Sequence, residues 1–488
     1  MKRIISLILV VLLAAPLFAC GNAEERQEAP AQPVPEADAG AGEEAEAAET
    51  ETDLLATLPE ASYDGYSFGI LAVPEESCVG IQSFDAAELN GEIINDIVFE
   101  RNEYVKQRYD VDITLDHMNG AVAASVNLVA AGDETYDLVS DEAKYHVSYS
   151  TQGIFRDLGK VASLDMDAPW WYADAAKTLT LEGRLFEGYS DLNTQIKERL
   201  ACEFVNLDMI SALALQDPYQ LVLEGGWTID AMRDMAEAAA TDKDNDGKLS
   251  LEDVGGYVVG IGSYNVLING AGCPTAVRTE DGGVDLNVGN EDFIAAAEKI
   301  ARLVNDAAFT VYLNRDGWGT DMFAEGRALF REGNLYIYNT LRDYDSYFGI
   351  LPVPKYDEAQ KEYRSMMNNS SMGVSIPASI GDPERTGVIL EAMNAYSFLK
   401  LKDAYYETML KGKLARDEES VRMLDVITGN IVVDYGVMNE IAWGTVISGW
   451  LNSMEKSGAE NLASVAASNR KIFDKTYQKM LDAFAKLP

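Results

Sequence analysis

Two α/β lobes with doubly wound sheets and a helical C-terminal part are the fold class this sequence predicts. Three observations carry it. Strand and helix patterns alternate β-α-β-α-β from residue 66 to 140, strand and helix runs recur more loosely from 199 to 355, and the periodicity after Asp382 is predominantly helical.

"YSFGILAV" (66–73) is a continuous apolar run suited to a strand buried on both faces. Asn90 can cap a helix in which Ile93, Ile94, Ile97, Val98 and Val105 recur at helical spacing as far as Tyr109. "VDITL" (111–115) alternates as a strand, residues 121–131 form a second helical run, and "YDLVS" (136–140) is another strand. This order implies parallel strands with right-handed crossovers, whose ligands sit at the strands' carboxyl ends. Asp141 and Glu142 fall at such an end.

In the second region "RLACEFVN" (199–206) and "GYVVGIG" (256–262) read as buried strands, and "TIDAMRDMAEAAA" (228–240) and residues 290–306 as helices. Trp227 reads as a packing residue at a helix entry. "FGILPVPK" (348–355) echoes "FGILAVPE" (68–75), but the similarity stops there, so both are read as buried strands ending at a proline rather than as a duplication.

The N-terminus carries an export signal. Lys2 and Arg3 precede an almost wholly apolar run to Phe18, too short to span a bilayer, and Ala19 precedes Cys20. "LFAC" followed by Gly21 resembles a bacterial lipobox, with Phe18 departing from the usual small or β-branched residue. Residues 1–19 are therefore expected to be removed and Cys20 to be diacylated, holding the chain at the outer face of the cell membrane. Residues 20–61, mostly Ala, Glu and Pro, are expected to be a disordered tether.

Composition removes several functions. A formal net charge of -41 repels phosphate backbones, so nucleic acid is excluded as a partner. Besides Cys20 there are Cys78, Cys202 and Cys273 with no CxxC spacing, read as free thiols, and the only histidines are His117 and His146, so a clustered zinc site is absent. No GxSxG, GxxxxGK[ST] or HExxH occurs. Paired carboxylates carry no signal for glycoside hydrolysis, because among 80 Asp and Glu some pair always fits the spacing.

"DKDNDGKLSLED" (242–253) has the spacing of a calcium loop. Asp242, Asp244 and Asp246 hold positions one, three and five, Gly247 the sharp turn, and Lys248 offers its carbonyl. Asp253 stands at position twelve, where a longer Glu usually chelates. The strand-like "GGYVVG" that follows excludes a paired sensor, so the expected role is a structural Ca2+ bracing the loop.

Four passages together resemble a known family. They are "DPYQLVLEGGWTIDAMRDMAEAAATDKDNDGKLSLEDVGGY", "FAEGRALFREGNLYIY", "YFGILPVPKYDEAQKEYRS" and "IPASIGDPERTGVILEAMNAYSFL". In order and spacing they are similar to the extracellular solute-binding proteins of ABC importers, family 1, the branch that includes maltose-binding protein. The resemblance implies a periplasmic-binding-protein-like (type II) fold, with lobe 1 from 62–193 plus about 337–400 and lobe 2 from 194–336 plus about 401–488. It implies no enzyme activity and a monomer that captures a small polar solute, expected to be a carbohydrate, and presents it to ABC permease subunits. Sugar rings stack on aromatic planes while their hydroxyls meet carboxylates and amides. The implied stacking residues are Trp171, Tyr336 and Trp443, and the implied hydrogen-bonding residues Glu142, Asp191, Asn193, Tyr264, Asn269 and Arg342. Two alternatives stay open: a peptide or other non-sugar solute, for which Arg342 would suit a carboxylate, and a surface polysaccharide-active enzyme.

Overall fold

The computed structural model describes residues 54–74, 84–260, 262–313, 322–341, 347–410, 418–443 and 445–487. The signal segment and Cys20, Cys78, Trp318 and Arg342 lie outside them. The first strands along the chain are β1 (Tyr66–Ala72), β2 (Val111–His117) and β3 (Leu138–Glu142). Then follow β4 (Ala201–Asn206), β5 (Gly255–Val259), β6 (Ala276–Arg278), β7 (Val284–Leu286), β8 (Thr310–Tyr312), β9 (Ala328–Asn334) and β10 (Phe348–Leu351). The last are β11 (Ser365–Met366), β12 (Met372–Ser375) and β13 (Ile431–Val432).

The first sheet has the order β12-β3-β1-β2, with β1 parallel to β2 and β3 and with β12 antiparallel to β3. The second has the order β10-β4-β9-β5-β8, with β5 parallel to β8 and β9 and with β4 antiparallel to both β9 and β10. Each sheet is thus doubly wound but carries one reversed strand beside its third parallel strand. The reversed strands, β4 and β12, are the first each sheet receives after the chain has passed from the other sheet. A chain entering from the ligand-facing end must run against its neighbours.

The local signals mostly hold. In the helix Ile93–Tyr109 the buried residues Ile94, Val98, Arg101, Val105 and Tyr109 form one face, and the helix stops where Asp110 turns left-handed at φ 50°. Thr228 caps the helix Ile229–Ala239 by accepting from Ala231 N at 3.2 Å. Trp227 is fully buried, with its indole donating to Pro352 O at 2.8 Å, as expected of a packing residue. Gly256 lets β5 lie directly on that helix: a Cβ there would meet Ala236 O at 2.0 Å. Cys202 is a buried free thiol and Cys273 a half-buried one.

Three expectations need correction. The tether was drawn through residue 61, yet Leu58 is buried and its carbonyl accepts from Arg108 Nη2 at 2.7 Å, because Leu54, Leu55 and Leu58 give the segment an apolar face. The strand expected at 136–140 is observed at Leu138–Glu142, so Asp141 lies inside it, fully buried, and accepts from Val122 N at 3.0 Å at the start of the helix Ala121–Ala131. The second segment of lobe 1 cannot begin at 337, because β10 pairs with β4 in the second sheet; the return falls between β10 and β12. The helix Pro383–Leu410 packs on Ile93–Tyr109 of the first lobe, and the helix Glu418–Gly429 on β10 of the second.

Candidate functional site

The carboxyl ends of the parallel strands β5, β8 and β9 open into a cavity of about 490 Å³. Val258, Val259 and Gly260 come from β5 and its end, Leu313 from just beyond β8, and Arg331, Glu332, Gly333 and Asn334 from β9. After β5 the chain turns at Gly262 (φ 99°), which no L side chain adopts easily, and starts the helix Ser263–Gly270 that brings Asn265 and Val266 to the wall. Met366, Asn368 and Asn369 come from the returning segment, and Glu440, Leu451 and Glu455 from the C-terminal helices.

The wall is polar and largely preset. Ser263 Oγ donates to Glu332 Oε2 at 2.8 Å, Tyr312 Oη to Glu455 Oε1 at 2.9 Å and Asn369 Nδ2 to Glu440 Oε2 at 2.6 Å. Burial pushes the pKa of Glu332 up, while the Ser263 hydroxyl and the Arg331 charge pull it back. Glu203, directly opposite on β4, is raised further, first by burial and then by the Glu332 charge. Among the described residues, the amide oxygens of Asn265 and Asn334 have no hydrogen-bond partner. Acceptors in such a wall suit a ligand rich in donors.

The first lobe reaches this site through the start of the helix Ala143–Tyr149. Ala143 N and Lys144 N donate to Ser371 O and Asn369 O at 2.9 and 3.0 Å. Glu142 pairs with Lys144 at 2.6 Å, and Lys144 Nζ donates to Ser370 Oγ at 3.1 Å, so this expected residue lies beside the cavity without lining it.

The other expected ligand residues are placed elsewhere. Trp171 is a core residue whose indole donates to Glu391 Oε1 at 2.9 Å, and Trp443 is buried edge-on to Phe473 at 4.8 Å, so neither offers a free face for stacking. Asp191 is buried between Tyr172 Oη at 2.8 Å and Lys197 Nζ at 2.7 Å, and Asn193 Oδ1 accepts from Gln195 N at 3.0 Å. Tyr264 is buried with its hydroxyl on Asn305, and Asn269 is buried against Asp434 Oδ2 at 3.0 Å. Both sit on the inner face of the helix Ser263–Gly270, whose neighbour Asn265 reaches the cavity instead. Tyr336 is exposed in the turn Leu335–Ile337, next to the lining residue Ile337.

The lining residues that sequence reading missed had one available signal. β9 reads apolar in "ALF" and polar in "REGN", and a polar carboxyl end on a buried strand marks the side where ligands bind.

In the acidic loop, ligand atoms of Asp242, Asp244 and Asp246 lie within 4.8 Å of one another, and Gly247 adopts φ 89°. Oxygen donors at this spacing suit a hard divalent cation. Asp253 does not join them: its Oδ1 accepts from Lys243 N at 2.9 Å and its Oδ2 from Ser250 N at 2.7 Å.

No family model and no curated protein matches the chain. Solved structures do. UspC of M. tuberculosis matches with a TM-score of 0.57 at 13% identity, over 84% of this chain and 100% of that one. The cyclic alpha-maltosyl-1,6-maltose binding protein of Arthrobacter globiformis matches with 0.54 at 12%, over 86% and 99%. The maltose/maltodextrin-binding domain MalE of Bdellovibrio bacteriovorus, bound to maltotriose, matches with 0.53 at 12%, over 84% and 100%. At these identities the likeness is one of fold: the chain shares the two-lobe α/β architecture of these structures, with its cavity at the carboxyl ends of the parallel strands of the second sheet.

Proposed function

We propose that the chain is an extracellular solute-binding protein that captures an oligosaccharide in the cavity at β5 and β9 and delivers it to an ABC permease. The observation that carries this reading is the cavity's position. It lies at the carboxyl ends of parallel strands and is bordered by the segment returning between the sheets, where closure of the lobes would bring the first lobe onto a bound ligand. The ligand then favours the closed arrangement by the contacts it gains in that arrangement alone. MalE from Bdellovibrio bacteriovorus and the Arthrobacter globiformis protein, which share the fold, are described as binding maltotriose and a cyclic maltosyl sugar. Capture requires no bond chemistry, in keeping with the missing nucleophile and phosphate-loop motifs.

In the same reading Cys20 carries the lipid anchor and the protein acts as a monomer at the outer membrane face. A structural calcium ion is a separate part of the proposal, held by Asp242, Asp244 and Asp246 with the Lys248 carbonyl and without Asp253. Thermal unfolding against a panel of neutral oligosaccharides tests the binding function, since a ligand specific to the native state must raise the midpoint. Saturable stabilisation by at least one oligosaccharide is expected; stabilisation by peptides alone would replace the carbohydrate reading.

A further inference from the structure

The cavity's charge narrows the class of ligand, an inference that rests on the carbohydrate-binding reading. Among the described lining residues there are three carboxylates, Glu332, Glu440 and Glu455, and one basic side chain, Arg331. Arg331 is committed to the sheet: its Nη1 donates to Glu332 O at 3.1 Å, and its charge acts on both Glu203 and Glu332. Glu440 and Glu455 have no such compensation. Among the described residues neither forms an ion pair, and their hydrogen-bond partners, Asn369 and Tyr312, are neutral. The amide oxygens of Asn265 and Asn334 add two acceptors that have no partner among the described residues.

A neutral sugar would satisfy the acceptors with its hydroxyls but leave uncompensated the negative charge of half-buried Glu440 and of Glu455, which is exposed to solvent. A protonated amine on the sugar supplies both the donors and the charge, and hydrogen bonds between ionised groups are roughly twice as strong as neutral ones. We infer that the cavity takes an oligosaccharide bearing a free, protonated amino group, with the ammonium seated at Glu440 and Glu455 and the hydroxyls meeting Asn265, Asn334 and the Asn368–Asn369 segment.

The test is calorimetric titration of the full chain with three trimers: a glucosamine trimer, its fully N-acetylated form and maltotriose. The glucosamine trimer should bind at least about tenfold more tightly than the acetylated one, and the advantage should shrink as salt rises. Glu440→Gln and Glu455→Gln should each reduce the preference for the glucosamine trimer over its acetylated form, and the double variant should abolish it. Should any variant fail to fold, the salt dependence of the wild-type preference decides alone. Equal or tighter binding of a neutral trimer overturns the inference and leaves the carbohydrate reading intact. Binding of no trimer overturns that reading and the inference with it. Binding of a simple diamine as tight as that of the glucosamine trimer would show that the sugar is not recognised, and also overturns the inference.

Discussion

Glu203 on β4 and Glu332 on β9 stand directly opposite each other in the second sheet, two acidic side chains paired across an antiparallel ladder. Tyr257 Oη donates to Glu203 Oε1 at 3.0 Å and Ser263 Oγ to Glu332 Oε2 at 2.8 Å. Burial raises both pKa values, and for Glu203 the Glu332 charge adds to it. The pairing thus disfavours two negative charges side by side beneath the cavity-lining end of β9.

This arrangement sets a pH dependence. Above the ordinary carboxylate range the unfolded chain has lost its carboxyl protons, while a native carboxyl whose pKa burial has raised gives up its proton only at a higher pH. The native state then binds more protons, and stability falls as pH rises until the native groups ionise. Glu391, raised to about 7, and Glu187, raised to about 8, both chiefly by burial, act in the same direction. Denaturant unfolding should show stability declining from about pH 5 towards pH 8. Glu203→Gln, which keeps an acceptor for Tyr257, should flatten the slope by about 1.4 kcal/mol per pH unit. An unchanged slope would mean that Glu203 is ionised in the native protein.

Removing a single polar contact in the cavity should weaken ligand binding without unfolding the protein. Asn334→Ala and Asn369→Ala should each raise Kd by roughly 2- to 10-fold, the equivalent of about 0.5–1.5 kcal/mol per hydrogen bond. Their unfolding midpoints should stay close to that of the wild type.

Trp171 should behave in the opposite way. Its indole and that of Trp170 both donate to Glu391, at 2.9 and 2.5 Å, inside the first lobe. Trp171→Ala should cost about 3–5 kcal/mol of stability, measured by denaturant titration, while the folded fraction keeps its ligand affinity. Selective loss of affinity would return Trp171 to the binding site.

Gly256 is fixed by the approach of Ala236 O. Gly256→Ala should destabilise the chain by about 1–3 kcal/mol through forced separation of β5 from the helix Ile229–Ala239. Gly260, where a Cβ meets nothing within 4 Å, is the matched control and should tolerate the same change far better.

A chelator should lower the unfolding midpoint of the calcium-loaded chain, and Asp242→Asn should remove that response. Asp253→Asn should preserve it, because Asp253 is engaged with Lys243 N and Ser250 N rather than with the three aspartates. Equal midpoints with and without calcium would show that the loop is an acidic turn.

The architecture was legible because buried strands and amphipathic helices leave strong periodic signals, as in β1 and the helix Ile93–Tyr109. Pairing was less legible. Nothing local in "FGIL" distinguishes β1, central in the first sheet, from β10, at the edge of the second, since both strands need only to be apolar. The site was the least legible. Tryptophans draw attention as stacking residues, but a large ring has as much to gain from the core, and Trp171, Trp227, Trp443 and Trp450 are all buried there. On the helix Ser263–Gly270, one face turns Tyr264 and Asn269 inward while Asn265 meets the cavity, a rotation that the spacing of this short helix does not settle.

The most direct measurement is a crystal structure of the chain grown with a saturating oligosaccharide. Density for the sugar should lie against Val259, Asn265, Glu332, Asn334 and Asn369, with the first lobe drawn onto its other side. Sugar bound elsewhere, or bound with the two lobes placed as in its absence, would contradict the account.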